Sequence, residues 1–208
     1  MRQNLIHETF EGPALDPALK WLNPPPTWQL DTVASRLVVY PAGQTDFWQR
    51  THYGFQADNG HLLYTGVSGD AVIAAKIHSF PVHQYDQAGL MVRVSDECWL
   101  KTSVEFAPGA PSHLGAVVTN GGYSDWSFED FRGDGTRGYC LRVRREREDY
   151  LVEYADDDSG PWHLMRVAHL LVQPGLPVWA GFYSCSPKGA GFRVEVEYLI
   201  IEPLSATP

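Results

Sequence analysis

Gln87-Ala88-Gly89-Leu90-Met91-Val92-Arg93-Val94, then Ser95-Asp96-Glu97, then Cys98-Trp99-Leu100-Lys101-Thr102-Ser103-Val104-Glu105-Phe106: apolar and polar residues alternate on both sides of a short acidic turn. Successive side chains of a strand point to opposite faces. The alternation therefore puts Ala88, Leu90, Val92, Val94, Leu100, Val104 and Phe106 on one face, as a core set. Gln87, Gly89, Met91, Arg93, Trp99, Lys101, Ser103 and Glu105 fall on the other. Both strands send their apolar sets to the same side only if an odd number of residues joins them, because a one-residue slip inverts a strand. That parity predicts an antiparallel register with Val92 opposite Leu100, Arg93 opposite Trp99, Met91 opposite Lys101 and Gln87 opposite Glu105. In this register Arg93 is placed to stack on Trp99, a cation–π pair worth roughly 0.5–1 kcal/mol if exposed. Gln87 is placed to orient the Glu105 carboxylate.

The same signal recurs outward along the chain. Leu37-Val38-Val39-Tyr40, His61-Leu62-Leu63-Tyr64, the run from Ala71 to Ile77, Ala116-Val117-Val118-Thr119, Tyr139 to Arg144, Tyr150 to Tyr154, Val178 to Tyr183 and Phe192 to Tyr198 all read as strands. Each is bounded by Gly, Pro, Asn or Asp turns. No long amphipathic helix interrupts them, which predicts an all-β fold, a two-sheet sandwich or jelly roll. A chain of 208 residues buries a sufficient core as one domain, so residues 1–208 are read as a single unit. Residues 1–30 form a partly extended N-terminal arm, since Pro24-Pro25-Pro26 denies both helix and ladder hydrogen bonds. The charged run Arg144-Arg145-Glu146-Arg147-Glu148-Asp149 reads as a solvated hairpin tip.

Charge and composition narrow the partners. A formal net charge of −9 gives no footprint for nucleic acid or an anionic membrane. Neither a signal-peptide stretch near Met1 nor a run of roughly 20 apolar residues is visible, which predicts a cytoplasmic protein with no membrane partner. Cys98, Cys140 and Cys185 are odd in number and widely spaced, so they are expected to be free thiols. His52, His61, His78 and His83 show no zinc-motif spacing, and neither a metal nor a cofactor is expected.

Two further segments mix aromatic rings with polar groups: Thr45 to Phe55, and Gly121-Gly122-Tyr123-Ser124-Asp125-Trp126-Ser127. Rings beside carboxylates and amides suit sugars, whose C–H faces stack while their hydroxyls take hydrogen bonds. The expected ligand-binding set is Trp48, Tyr53, Gln87, Arg93, Trp99, Lys101, Glu105, Asp125 and Trp126. Arg93 and Lys101 would also tolerate an anionic group on the ligand. If the protein is instead a glycoside hydrolase or related sugar-modifying enzyme, Glu105 and Asp125 are the candidate catalytic carboxylates, with Asp86 as an alternative partner. Glu195 and Glu197 share a strand face but lack a central acid between them and read as solvated outer residues.

Thr45-Asp46-Phe47-Trp48, Tyr85-Asp86-Gln87-Ala88-Gly89-Leu90-Met91-Val92-Arg93, Trp99-Leu100-Lys101, Val117-Val118-Thr119-Asn120 and Ser124-Asp125-Trp126-Ser127 together resemble a domain-of-unknown-function family. Its best-known name, regulation of enolase, comes from a fungal member. The resemblance spans roughly residues 8 to 202 and implies a concanavalin A-like lectin/glucanase sandwich. It implies no settled reaction. Carbohydrate binding follows by analogy with other proteins of the fold, and a metabolic enzyme such as enolase is the partner its name implies.

Overall fold

The computed structural model describes residues 6–173 and 175–204. Two antiparallel sheets pack face to face. In spatial order the back sheet is β15 (His163–His169), β14 (Asp149–Ala155), β13 (Tyr139–Glu146), β8 (Ala71–Phe80), β17 (Arg193–Pro203), β4 (Arg36–Tyr40) and β3 (Thr27–Asp31). The short β1 (Ile6–Glu8) also pairs with β17. The front sheet is β12 (Tyr123–Asp130), β11 (His113–Asn120), β10 (Cys98–Glu105), β9 (Gln87–Ser95), β16 (Val178–Cys185), β7 (His61–Val67) and β2 (Lys20–Leu22). A separate hairpin, β5 (Phe47–Gln49) and β6 (Gln56–Asp58), belongs to neither sheet. No helix among the described residues is long and apolar enough to cross a membrane.

The register expected for β9 and β10 is the one observed: Arg93 opposite Trp99, Val92 opposite Leu100, Met91 opposite Lys101 and Gln87 opposite Glu105. Its odd parity has a specific origin. Cys98 pairs with Ser95 and Trp99 with Arg93, so Val94 is an extra residue, a bulge beside the two-residue turn Asp96-Glu97. Val94 is therefore turned to solvent at 37% exposure, which corrects its assignment to the core. The other inward residues, Ala88, Leu90, Val92, Leu100 and Val104, join Ile73, Ile77, Leu141, Val143, Phe182 and Val196 between the sheets.

Two of the longer strands escape the sequence reading. β12 and β15 are edge strands that expose most of their residues, so burial imposes no polarity period on them. Segments of the N-terminal arm are recruited into the sandwich: β2 continues the front sheet, and β3, after the three prolines, forms the outer edge of the back sheet. The charged hairpin tip is only partly solvated. Arg145 is 3% exposed and donates to the Val67 carbonyl at 3.1 Å and the Arg147 carbonyl at 3.0 Å. All three cysteines are free and buried.

Candidate ligand-binding cleft

The face of β9 and β10 that points away from the sandwich is not an open platform. The β5–β6 hairpin lies over it, and Phe47 reaches down to Trp99 and Tyr183 at ring-centroid distances of 6.4 and 6.2 Å. With Leu62, Met91, Val117 and Cys185 these rings form a second, smaller core outside the main one. Gly60 makes room for the roof, since a Cβ there would lie 2.4 Å from the Phe47 ring.

Polar ties hold the hairpin in place. Arg93 donates to both carboxylate oxygens of Asp58 at 2.6 and 2.7 Å, a bidentate pair of the strong kind. The Gln49 backbone N–H donates to Ser124 Oγ at 2.9 Å, and Arg50 donates to Glu97 Oε1 at 2.9 Å and to the Gly122 carbonyl at 3.0 Å. The Arg50–Phe55 tip is closed by backbone bonds and holds Arg50, His52 and Gly54 at φ of 55°, 76° and 67°. For Arg50 and His52 this is strained backbone, of the kind stored where a loop must aim a side chain. The tip carries Tyr53 and Phe55.

Beyond the Phe47 roof a cleft of about 480 Å³ opens. Trp48, Tyr53, Phe55, Tyr85, Val117 and Trp126 line it together with Asp46, Gln87, Lys101, Glu105, Pro187 and Lys188. Its rim is aromatic and wet: Tyr53 is 70%, Phe55 48% and Trp126 38% exposed. Trp126 is pre-ordered by stacking on Phe128 at 4.4 Å, with His113 against both rings. Its floor is polar and buried. Gln87 Oε1 accepts from Lys101 Nζ and from the Tyr183 hydroxyl, each at 3.0 Å. Those two donors fix the amide so that its nitrogen donates to Glu105 Oε2 at 3.1 Å and to the Tyr85 carbonyl at 3.2 Å. Lys101 also donates to Asp46 Oδ1 at 3.1 Å. Burial pushes the Glu105 carboxyl up to about 7, against the opposing charge of Lys101 and with a further upward push from Asp46.

Of the residues expected to bind ligand, Trp48, Tyr53, Gln87, Lys101, Glu105 and Trp126 meet in this one cleft. Three do not. Trp99 is 0% exposed beneath Phe47, so no ligand stacks on it. Arg93 is consumed by Asp58 and lies over Phe47 at 5.7 Å, while Lys101 takes the position over Trp99 at 5.8 Å. Asp125 sits at the opposite strand parity from Trp126, opposite Val118, and pairs with Arg166 at 2.8 Å in a neighbouring groove. Glu105 and Asp125 are thus not brought together. Nor is Asp86 a partner, because it is buried and accepts from the Val82 and His83 amides and Ser186 Oγ. Glu195 and Glu197 lie on the back sheet, in ion pairs with Arg36, Arg193 and Lys76.

Sequence reasoning missed Asp46, Phe55, Tyr85, Val117, Pro187 and Lys188 as lining residues. Asp46 and Phe55 stand inside the aromatic loop already singled out. Pro187 and Lys188 reach the cleft only because β16 pairs with β9, a contact across more than ninety positions of chain that no local pattern announces.

The chain matches the family described as "Protein of unknown function (DUF1349)" over residues 21–204. It belongs to that family. A relative, "Regulation of enolase protein 1" of Saccharomyces cerevisiae, is 34% identical over 193 residues, covering 88% of this chain and 89% of the relative. The crystal structure of a functionally unknown protein from Saccharomyces cerevisiae superposes with a TM-score of 0.81 at 30% identity, over 90% of this chain and 98% of that one. A xylan beta-1,4-xylosidase from Bacillus halodurans superposes with a TM-score of 0.75 over 97% of this chain, but at 14% identity and over 40% of the xylosidase. At that identity the likeness concerns the fold alone. The concanavalin A-like sandwich expected for a DUF1349 chain is the one observed.

Proposed function

We propose that the cleft above Glu105 binds a small, hydroxyl-rich ligand of the carbohydrate class. One observation carries the reading: exposed rings of Tyr53, Phe55 and Trp126 stand over a floor of buried Gln87 and Lys101 and partly buried Glu105. Such a site stacks the C–H face of a sugar and meets its hydroxyls with fixed donors and acceptors. A hydrolase of ordinary type needs two carboxyls flanking the scissile bond, about 5 to 9 Å apart. Asp125 lies outside the cleft, and the second carboxyl that lines it, Asp46, is held by Lys101 Nζ at 3.1 Å, so binding without turnover is the better reading of this site.

A thermal-shift screen against mono- and oligosaccharides and phosphorylated sugars tests it, because a ligand bound to the native state raises stability by mass action. A dose-dependent shift that is lost in Trp126→Ala supports the cleft. The name of the 34% identical relative supports a second reading, a regulatory contact with a metabolic enzyme. A stable complex with purified enolase, together with no shift from any sugar, would replace the first reading by the second.

A further inference from the structure

We infer that the cleft is built for an uncharged ligand and presents it with Glu105 as a neutral carboxylic acid. This rests on the carbohydrate reading above and narrows it. The first argument is that the cations of the floor are already engaged. Lys101, 4% exposed, donates to Asp46 Oδ1 and Gln87 Oε1, and Arg93 is held by Asp58 outside the cleft. Lys188 stands on the rim, exposed and over the Tyr85 ring at 5.3 Å, where water and salt screen its pull on an anion.

The second argument is the hydrogen bonding of Glu105 itself. Oε2 accepts from the Gln87 amide, whose orientation Lys101 and Tyr183 fix, while Oε1 is buried without a hydrogen-bond partner. The nearest candidate, His113 Nδ1, is 3.7 Å away and equally unpartnered. A buried carboxylate needs several donors to hold its charge, and one neutral amide is not enough. The groups facing Glu105 are Lys101 on its own strand, Gln87 on β9, His113 on β11, Tyr183 on β16 and Asp46 ahead of β5. Asp46 offsets the Lys101 charge nearest to it. The upward displacement of the carboxyl to about 7 agrees with this geometry.

A seated ligand removes the last water from Glu105, and an anionic ligand would add a like charge to any ionised form. Binding of a neutral sugar therefore takes up a proton above pH 7 and weakens by about tenfold per pH unit there. Two measurements test the inference. Carbon-13 titration of the Glu105 carboxyl in the ligand-free protein should give a midpoint near 7, assigned by its loss in Glu105→Gln. A midpoint near the ordinary glutamate value of about 4.3 overturns the inference whatever binds.

Calorimetry with methyl β-glucoside and with glucuronate at pH 6 and pH 8 forms the second arm. The expected result is glucoside binding at pH 6, weakened by about tenfold at pH 8, with Glu105→Gln losing that difference and glucuronate weaker throughout. Tighter binding at pH 8, or preference for glucuronate, overturns the inference while leaving the carbohydrate reading standing. If neither probe binds wild type at either pH, the carbohydrate reading fails and takes the ligand preference with it.

Discussion

Phe47 and Trp99 face each other with ring centroids 6.4 Å apart, and their contact roofs what the strand pattern alone leaves as an open sheet face. The ring that stands in the middle of the polar face is thereby a core residue. The face turns useful only past the edge of the hairpin, where Glu105 stays partly exposed beside the buried Gln87.

Truncating Trp99 to Ala should act on stability before it acts on binding. Loss of a fully buried large ring costs about 3–5 kcal/mol, transfer and cavity terms together. Urea unfolding at pH 7 measures it. A loss under about 1 kcal/mol would mean that Trp99 is solvated and the roof absent.

The Arg93–Asp58 pair should behave as an anchor of the hairpin. Asp58→Ala leaves a guanidinium with 7% side-chain exposure unpaired, which costs about 3 kcal/mol. Replacing Arg93 with Met in the same background should recover part of that loss, because the uncompensated charge is then gone. Denaturant midpoints of the two single variants and the double variant give the coupling; additive losses would deny the pair its role.

Glu105 and His61 give stability opposite pH dependences. The Glu105 carboxyl is raised in the folded state, so the native protein binds the extra proton between pH 4.5 and about 7. Its contribution is fully present below 4.5 and lost as pH rises through 7, about 3 kcal/mol in all. His61 runs the other way. Its Nδ1 donates to the Asn23 carbonyl at 2.6 Å and its Nε2 accepts from the Ala42 amide at 3.0 Å, a neutral tautomer on both sides. Burial lowers its folded value below 6.5, so the unfolded chain protonates first and stability falls as pH drops below 6.5. Unfolding free energies across pH 5 to 8 for wild type and Glu105→Gln isolate the first effect: the variant should gain on wild type as pH rises. A constant difference would contradict the burial of Glu105.

The register of β9 and β10 was legible because it depends only on alternation and on the parity of one turn, both local. The cleft was half legible. Gln87, Lys101 and Glu105 share a face with Trp99 by alternation, but which of them water reaches depends on Phe47, forty or more positions away in the chain. Asp125 illustrates the other limit. In β12 the alternation Ser124, Trp126, Phe128 against Tyr123, Asp125, Ser127 was readable, yet an edge strand exposed on nearly every residue gives no burial signal to say which set faces the cleft. Arg166, which captures Asp125, comes from an edge strand of the opposite sheet.

The indole resonances of the seven tryptophans offer the most direct test of the cleft as the ligand site. In a nitrogen-15-labelled protein titrated with any sugar returned by the thermal screen, the Trp48 and Trp126 indoles, which line the cleft, should shift progressively with ligand. The Trp99 indole, sealed under Phe47 and donating to the Asp96 carbonyl at 3.2 Å, should stay put, as should Trp28, which packs on Trp21, and Trp162, which packs on Arg142, neither of them lining the cleft. Saturable shifts of Trp28 or Trp162 with Trp48 and Trp126 unmoved would contradict the account and place the site elsewhere.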